Sequence, residues 1–319
     1  MNKKCLSKIM IKYILGFLIF CIVLFFYIHI YYHLKRENDL EIYTIEMPSK
    51  DRLEEICNLK QPVMFNFENE NIVENCSFEG IKEKYAAFDI KVRNTKEEKD
   101  DTPYLPLPLK ESENLFLNDK EGKYFTERNE DFLNETGVIK RFRYNDTFLR
   151  PPLVSNCKYD IWSGSENTCT PLRYFLNFRN YFYVTHGSVK VQLIAPKNDK
   201  YLYVEKDYDN FEFYSPVNNW NVQEKYRTEF QKVNVLEIEL EEGNILFIPP
   251  YWWFSIKFGL NSSISVFKYR TYMNTVAILP EICMSLLQNQ NIKHETESKL
   301  SFVEKAAASV EHMLASKKE

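Results

Sequence analysis

The chain has 319 residues, with 41 lysines and arginines against 45 aspartates and glutamates, for a formal charge of −4. That length suits one large domain or two small ones, and the mildly acidic balance excludes nucleic acid as a general partner. Eight glycines leave little room for long flexible linkers, while 21 tyrosines and 24 phenylalanines in strand-like runs point to a β-rich core.

Residues 1–12 carry Lys3, Lys4, Lys8 and Lys12, and the uncharged run Tyr13–Tyr32 follows. Twenty residues at 1.5 Å each span a bilayer core of about 30 Å, and the Tyr31-Tyr32 pair suits an interfacial aromatic belt. A cleaved signal peptide fits less well, because the run is long and no small-residue cleavage site follows. The N-terminal lysines outweigh Lys35 and Arg36, so residues 1–12 are expected in the cytoplasm and the bulk of the chain in a lumen or outside, a type II arrangement. Beyond the span, sequons at Asn75, Asn134, Asn145 and Asn261 permit glycosylation. Five cysteines lie there as well; Cys157 and Cys169 could pair in an oxidising lumen, the alternative being buried free thiols.

Helical patterning is expected over Asp51–Leu59 and Phe78–Ala87, and short helices over Glu111–Phe116 and Asn129–Glu135. Pro62–Phe67, Phe88–Val92 and Leu105–Leu109 read as extended. Thr95–Thr102 is a charge run and a solvated loop. Asn180–Pro196 gives two strands around His186-Gly187-Ser188. Leu236–Leu240 alternates charged and apolar side chains, Glu242-Gly243-Asn244 is a turn, and Ile245–Ile248 is an apolar strand that Pro249-Pro250 ends. Ile264–Tyr269 is a closing strand. Thr275–Gln288 and Lys299–Ala315 are expected helices, the second within a tail at 291–319.

Four local patterns occur in order: Trp162-Ser163-Gly164, then Thr170-Pro171-Leu172-Arg173-Tyr174-Phe175, then Asn180 through Gly187 to Lys190 and Pro196, then Pro249-Pro250-Tyr251-Trp252-Trp253-Phe254. Together they resemble the cupin-like, JmjC-type domains of the iron/2-oxoglutarate oxygenase superfamily. The resemblance covers about residues 40–290. It implies a fold that is mainly β with flanking helices, a double-stranded β-helix or jelly roll over 36–290, joined to one N-terminal transmembrane helix. In the family, "T-P-L-H-x-D" supplies a histidine and an aspartate to iron, and a second histidine follows "P-P-x-W-W". Here Arg173, Phe175 and Phe254 stand at those positions. The family's cosubstrate lysine is matched to Lys190, with Thr170 and Asn180 lining the same pocket.

An iron/2-oxoglutarate site needs two imidazoles and a carboxylate on one face of the metal. A guanidinium has no free lone pair, and phenylalanine has no donor atom. His186 is the only histidine in the expected barrel, so no metal ligand set is expected. Lys190 with Arg173, Thr170 and Asn180 is expected to leave a degenerate anion pocket. No nucleotide-binding, serine-hydrolase or zinc-protease motif appears. The expected function is a non-catalytic binding or structural module with an unknown protein partner, and a homodimer through the C-terminal helices is conceivable. The alternative is an oxygenase that uses Fe(II) and 2-oxoglutarate at an atypical site. The Asn, Lys, Ile and Tyr bias fits an AT-rich genome, such as that of a large DNA virus or a protist.

Overall fold

A computed structural model describes residues 3–95 and 104–290. Most of the charge run at 95–102 and all of the 291–319 tail lie outside them. The chain opens with α1 (Lys3–Leu34), β1 (Tyr43–Ile45), α2 (Lys50–Cys57) and β2 (Val63–Asn66). There follow α3 (Glu70–Cys76), α4 (Phe78–Ile81), β3 (Asp89–Asn94), β4 (Leu105–Pro108), α5 (Leu109–Asn118), β5 (Tyr124–Thr126), α6 (Glu130–Glu135) and α7 (Val138–Asn145). Next come β6 (Val154–Gly164), β7 (Arg173–Tyr174), β8 (Arg179–His186), β9 (Ser188–Ile194), β10 (Glu205–Asp207), β11 (Glu212–Tyr214) and α8 (Glu224–Phe230). The chain continues through β12 (Leu236–Glu241), β13 (Asn244–Phe247), β14 (Trp253–Phe258) and β15 (Ser263–Thr271) to α9 (Tyr272–Ala277) and α10 (Leu279–Asn289).

Two sheets face each other. The larger runs β1-β2-β13-β8-β15-β6-β5-β3-β4, and the smaller runs β10-β11-β7-β14-β9-β12. Successive strands β6, β7, β8 and β9 alternate between the sheets, as do β12, β13, β14 and β15 with the order reversed, which is the double-stranded β-helix. Strand alternation sorts the side chains into three layers. Phe182, Val184, Val191, Leu193, Ile256 and Val266 fill the space between the sheets. Tyr181, Tyr183, Phe267 and Tyr269 point the other way, into a second core with the helices, among them Leu53, Ile72, Phe78 and Phe142. Trp253 packs outside the smaller sheet with Tyr174, Phe213 and Tyr251. The tryptophan pair therefore divides: Trp252 is in the barrel core and Trp253 outside it, its indole N–H donating to Asp199 Oδ1 at 2.6 Å.

Gly164 ends β6 where backbone and rings crowd in. A Cβ there would stand 2.8 Å from Phe125 Cβ and 2.9 Å from Phe258 Cδ2, so any side chain at the position forces its neighbours to shift.

The apolar stretch of α1, Met10–Leu34, is long and apolar enough to cross a membrane, a length and composition it shares with signal sequences. Its last turn docks on the domain. His33 is buried against the ring of Phe178. Tyr32 donates to Asn58 Oδ1 at 3.0 Å, and the Lys60 ammonium caps the carbonyls of Tyr32 and Lys35. Just beyond, Arg36 pairs with Asp199 at 2.6 Å and stacks over Tyr251.

Two expectations need correction. The helix expected over Phe78–Ala87 stops at Ile81 and gives way to turns. The helix expected over Thr275–Gln288 is two helices broken around Ile278, because Pro280 cannot donate into a continuous helix. Of the two alternatives open for the cysteines, the free thiols hold: Cys157 and Cys169 do not pair, and Cys57 and Cys76 are buried free thiols.

Candidate functional site

Arg173 and Phe254 are direct cross-strand neighbours on β7 and β14, inside the barrel mouth. Phe175 follows two residues after Arg173 and joins them. The Phe175 and Phe254 ring centroids are 5.1 Å apart, edge to face, and Phe182 lies 5.1 Å from Phe254. The Arg173 guanidinium sits 4.7 Å from the Trp162 ring. The three residues at the ligand positions are thus brought to one place, as a ring cluster beneath a buried cation.

Two glutamates remote in sequence hold that cation. Arg173 is 2% exposed; its Nη2 lies 2.6 Å from Glu127 Oε2, and its Nη1 donates to Glu212 Oε1 at 2.9 Å. Glu127 comes from the end of β5 and Glu212 from β11. Arg93 donates to Glu127 at 3.0 Å, Tyr104 donates to the same oxygen at 2.9 Å, and Arg128 donates to Glu212 at 2.5 Å. Burial alone would push both carboxyls up. Arg173, with Arg93 and Arg128, outweighs it and holds them below the usual carboxylate range. The result is a closed network of three arginines and two glutamates across the barrel mouth.

This donor set does not fit a divalent metal. Arginine offers no lone pair, the two rings offer no donor atom, and both glutamates are already engaged by guanidinium groups. Among the described residues no group of three His, Cys, Asp or Glu side chains is placed to hold a metal ion. His186 lies on the β8–β9 turn, 3.3 Å from Glu242.

The other sequence-derived residues separate. Asn180 is buried, and its amide donates to the Ile248 and Asn177 carbonyls. Thr170 is buried too, its hydroxyl accepting from the Ile256 amide. It lines a different groove of about 860 Å³, with Trp220 and Lys257. Lys190 needs correction as a pocket residue. It is exposed on the outer face of the smaller sheet, between Glu239 and Lys257. The family segment has one residue between its glycine and its lysine, whereas here Ser188 and Val189 both intervene. Since alternate side chains point to opposite faces, the extra residue puts Val189 inside and Lys190 outside.

Trp162 and three residues not singled out from the sequence complete the cleft beside Arg173, which has a volume of about 330 Å³. Asp160, Trp162, Lys268 and Arg270 line it on strands β6 and β15. Asp160 is saturated: Oδ2 accepts from the Arg128 amide and the Trp162 indole, and Oδ1 accepts from the amides of Asn129 and Ile161. Lys268 stands over the Phe175 ring at 4.0 Å, and burial pushes its ammonium down to about 8. One sequence signal could have found it. Ile264, Val266, Lys268 and Arg270 share one phase of an alternating strand whose first two members are core.

The strand order is that of a double-stranded β-helix with flanking helices, a cupin-like architecture. Residues 143–272 match the family model of the cupin-like domain. Among curated proteins, the chain is similar to the JmjC domain-containing protein D of Dictyostelium discoideum, 30% identical over 112 residues, covering 35% of this chain and 25% of that protein. It is also similar to the HSPB1-associated protein 1 of Rattus norvegicus, 26% identical over 132 residues, covering 41% of this chain and 26% of that protein. The chain thus spans about a quarter of the length of the curated relatives it matches.

Proposed function

We propose that this is a non-catalytic cupin-like module, a pseudoenzyme that binds rather than turns over, carried on a membrane by Tyr13–Tyr32. The observation that carries the reading is the Arg173 guanidinium held by Glu127 and Glu212 at the place where the family keeps its metal. The guanidinium stands at that place, and neither it nor the rings of Phe175 and Phe254 offer a donor atom to iron. In this reading the domain faces a lumen or the exterior, in a viral or host membrane, and engages a protein partner. The C-terminal helices are available for a homodimer.

The test is to restore the ligand set with Arg173→His, Phe175→Asp and Phe254→His. The triple variant is expected to bind Mn(II), while the wild-type chain, purified without chelators, carries no stoichiometric metal by elemental mass spectrometry. A folded triple variant without metal affinity would show that these three positions are not the family's ligand positions. The competing reading is an oxygenase of protein hydroxylase or demethylase type with an atypical site. The intact strand frame and the JmjC name of one relative favour it. Metal-dependent conversion of 2-oxoglutarate by the wild-type chain would establish it.

A further inference from the structure

The last turn of α1 is at once the end of an apolar run and part of the domain's surface. Side-chain burial on α1 sets in at His29, before the uncharged run ends at Tyr32, and α9 packs against the helix. Asn58 and Lys60 hold Tyr32, and Tyr251 carries Arg36. No free linker therefore separates domain from helix. With Tyr13–Tyr32 across the bilayer, whatever surrounds this exit lies at the level of the lipid headgroups. Those surroundings are apolar in segments distant in sequence. Leu59, next to Asn58, is 51% exposed, and Tyr272, which opens α9, is 61% exposed. α10 contributes a whole face. At about 3.6 residues per turn, Leu279, Cys283, Leu286 and Leu287 fall on one side of it with Met284 at their flank, and all are exposed. On the opposite side Ile282 packs into the cluster of Tyr251, and Glu281, the one charged residue of α10, lies on that side too.

An uncharged leucine-rich helix face beside a membrane exit is a surface that water disfavours and the headgroup–acyl boundary accepts. We infer that α10 lies on the bilayer surface beside α1, its Leu279–Leu287 face dipping into that boundary, with Leu59 and Tyr272 completing the contact. The inference rests on the reading of Tyr13–Tyr32 as the span. It holds the domain flat against one leaflet instead of leaving it to swing on a tether, so the barrel meets its partner in one orientation. The bilayer is favoured over a second copy of the chain because the face adjoins the exit: Ile278 and Ile282 pack with Tyr251, the ring on which Arg36 stacks just beyond α1. A second copy would need the same face, so the two occupants exclude each other.

The experiment is photocrosslinking of the full chain in phosphatidylcholine nanodiscs, with benzoylphenylalanine placed singly at Leu287, Met284, Phe20 or Leu260 and the adducts read by mass spectrometry. Phe20, inside the span, reports the bilayer. Leu260 is 68% exposed on the β14–β15 turn, at the far end of β15 from α9; that strand has nine residues, a length of about 30 Å. Lipid adducts are expected at Leu287 and Met284 in yields comparable to that at Phe20, and none at Leu260. Thermal unfolding shows that each variant is folded, and Met284 carries the test if the Leu287 variant is not. Adducts from α10 to a second copy, or to residues 291–319, overturn the assignment. So does a Phe20 lipid adduct with none at Leu287 and Met284, or a yield at Leu260 equal to theirs. No lipid adduct at Phe20 overturns the membrane reading itself, which keeps the two failures apart.

Discussion

Arg173 Nη2 lies 2.6 Å from Glu127 Oε2, with 2% of the arginine and about as little of the glutamate exposed, inside the mouth of a β-helix. Removing one partner of a buried pair strands the other as an unpaired charge, at a cost of roughly 3–5 kcal/mol. Glu127→Gln and Arg173→Leu are therefore expected to lower the unfolding midpoint by several degrees each. The double variant Glu127→Gln/Arg173→Leu should lose less than the sum of the two, because partners in one network are coupled. Additive losses in thermal unfolding would show that the pair is not coupled.

Acid should act through the same network. Glu127 and Glu212 are held below their ordinary value of 4.5 by the arginines, so the folded state binds fewer protons than the unfolded state once pH drops through that range. Their stabilisation is complete above about pH 4.5 and is lost as pH falls toward the folded-state values. Denaturant unfolding at pH 6 and pH 3 should show a smaller difference for Glu127→Gln than for the wild type. An equal difference would contradict the assignment.

Lys268 works with the opposite sign. Burial holds its folded-state value near 8 against 10.5, so the protonated lysine costs stability at neutral pH, and that cost fades between pH 8 and 10.5. Lys268→Met is expected to unfold at higher temperature than the wild type at pH 7, with the gap closing as pH rises through that window. A variant less stable at pH 7 would mean that the ammonium has a compensating partner.

Gly164 predicts a steric cost. Alanine there meets Phe125 and Phe258 closer than van der Waals contact allows, and overpacking of this kind costs about 1–3 kcal/mol. Gly164→Ala should lower the unfolding midpoint, whereas alanine at Gly16, where no atom lies within 4 Å, should not.

Much of the frame is legible along the chain because its signals are local. The Gly243 turn, the Pro249-Pro250 stop and the alternation in β9 and β12 each set a strand, and the spacing of Arg173, Phe175 and Phe254 places them together. Glu127 and Glu212 are not legible in that way. They sit 46 and 39 residues from Arg173 on strands with no motif, and only the sheet order brings them to it. Lys190 shows the converse failure. A motif match that ignores a single added residue lands on the wrong face of a strand, since the side-chain period is two. Lys268 was masked by an apolar neighbourhood, Ser265-Val266-Phe267 before it and Tyr269 after, that reads as plain core.

The central claim is that the barrel has exchanged its metal for the Arg173 network. It is tested most directly by thermal unfolding of the full chain in detergent, under anaerobic conditions, with Mn(II), with 2-oxoglutarate, with both and with neither. A ligand that binds only the folded state at a hundred times its dissociation constant adds about 2.7 kcal/mol, a shift of several degrees. The account predicts that Mn(II) changes nothing, alone or with 2-oxoglutarate, and that any shift from 2-oxoglutarate is metal-independent. A shift that requires both components would contradict it and return the domain to the oxygenases.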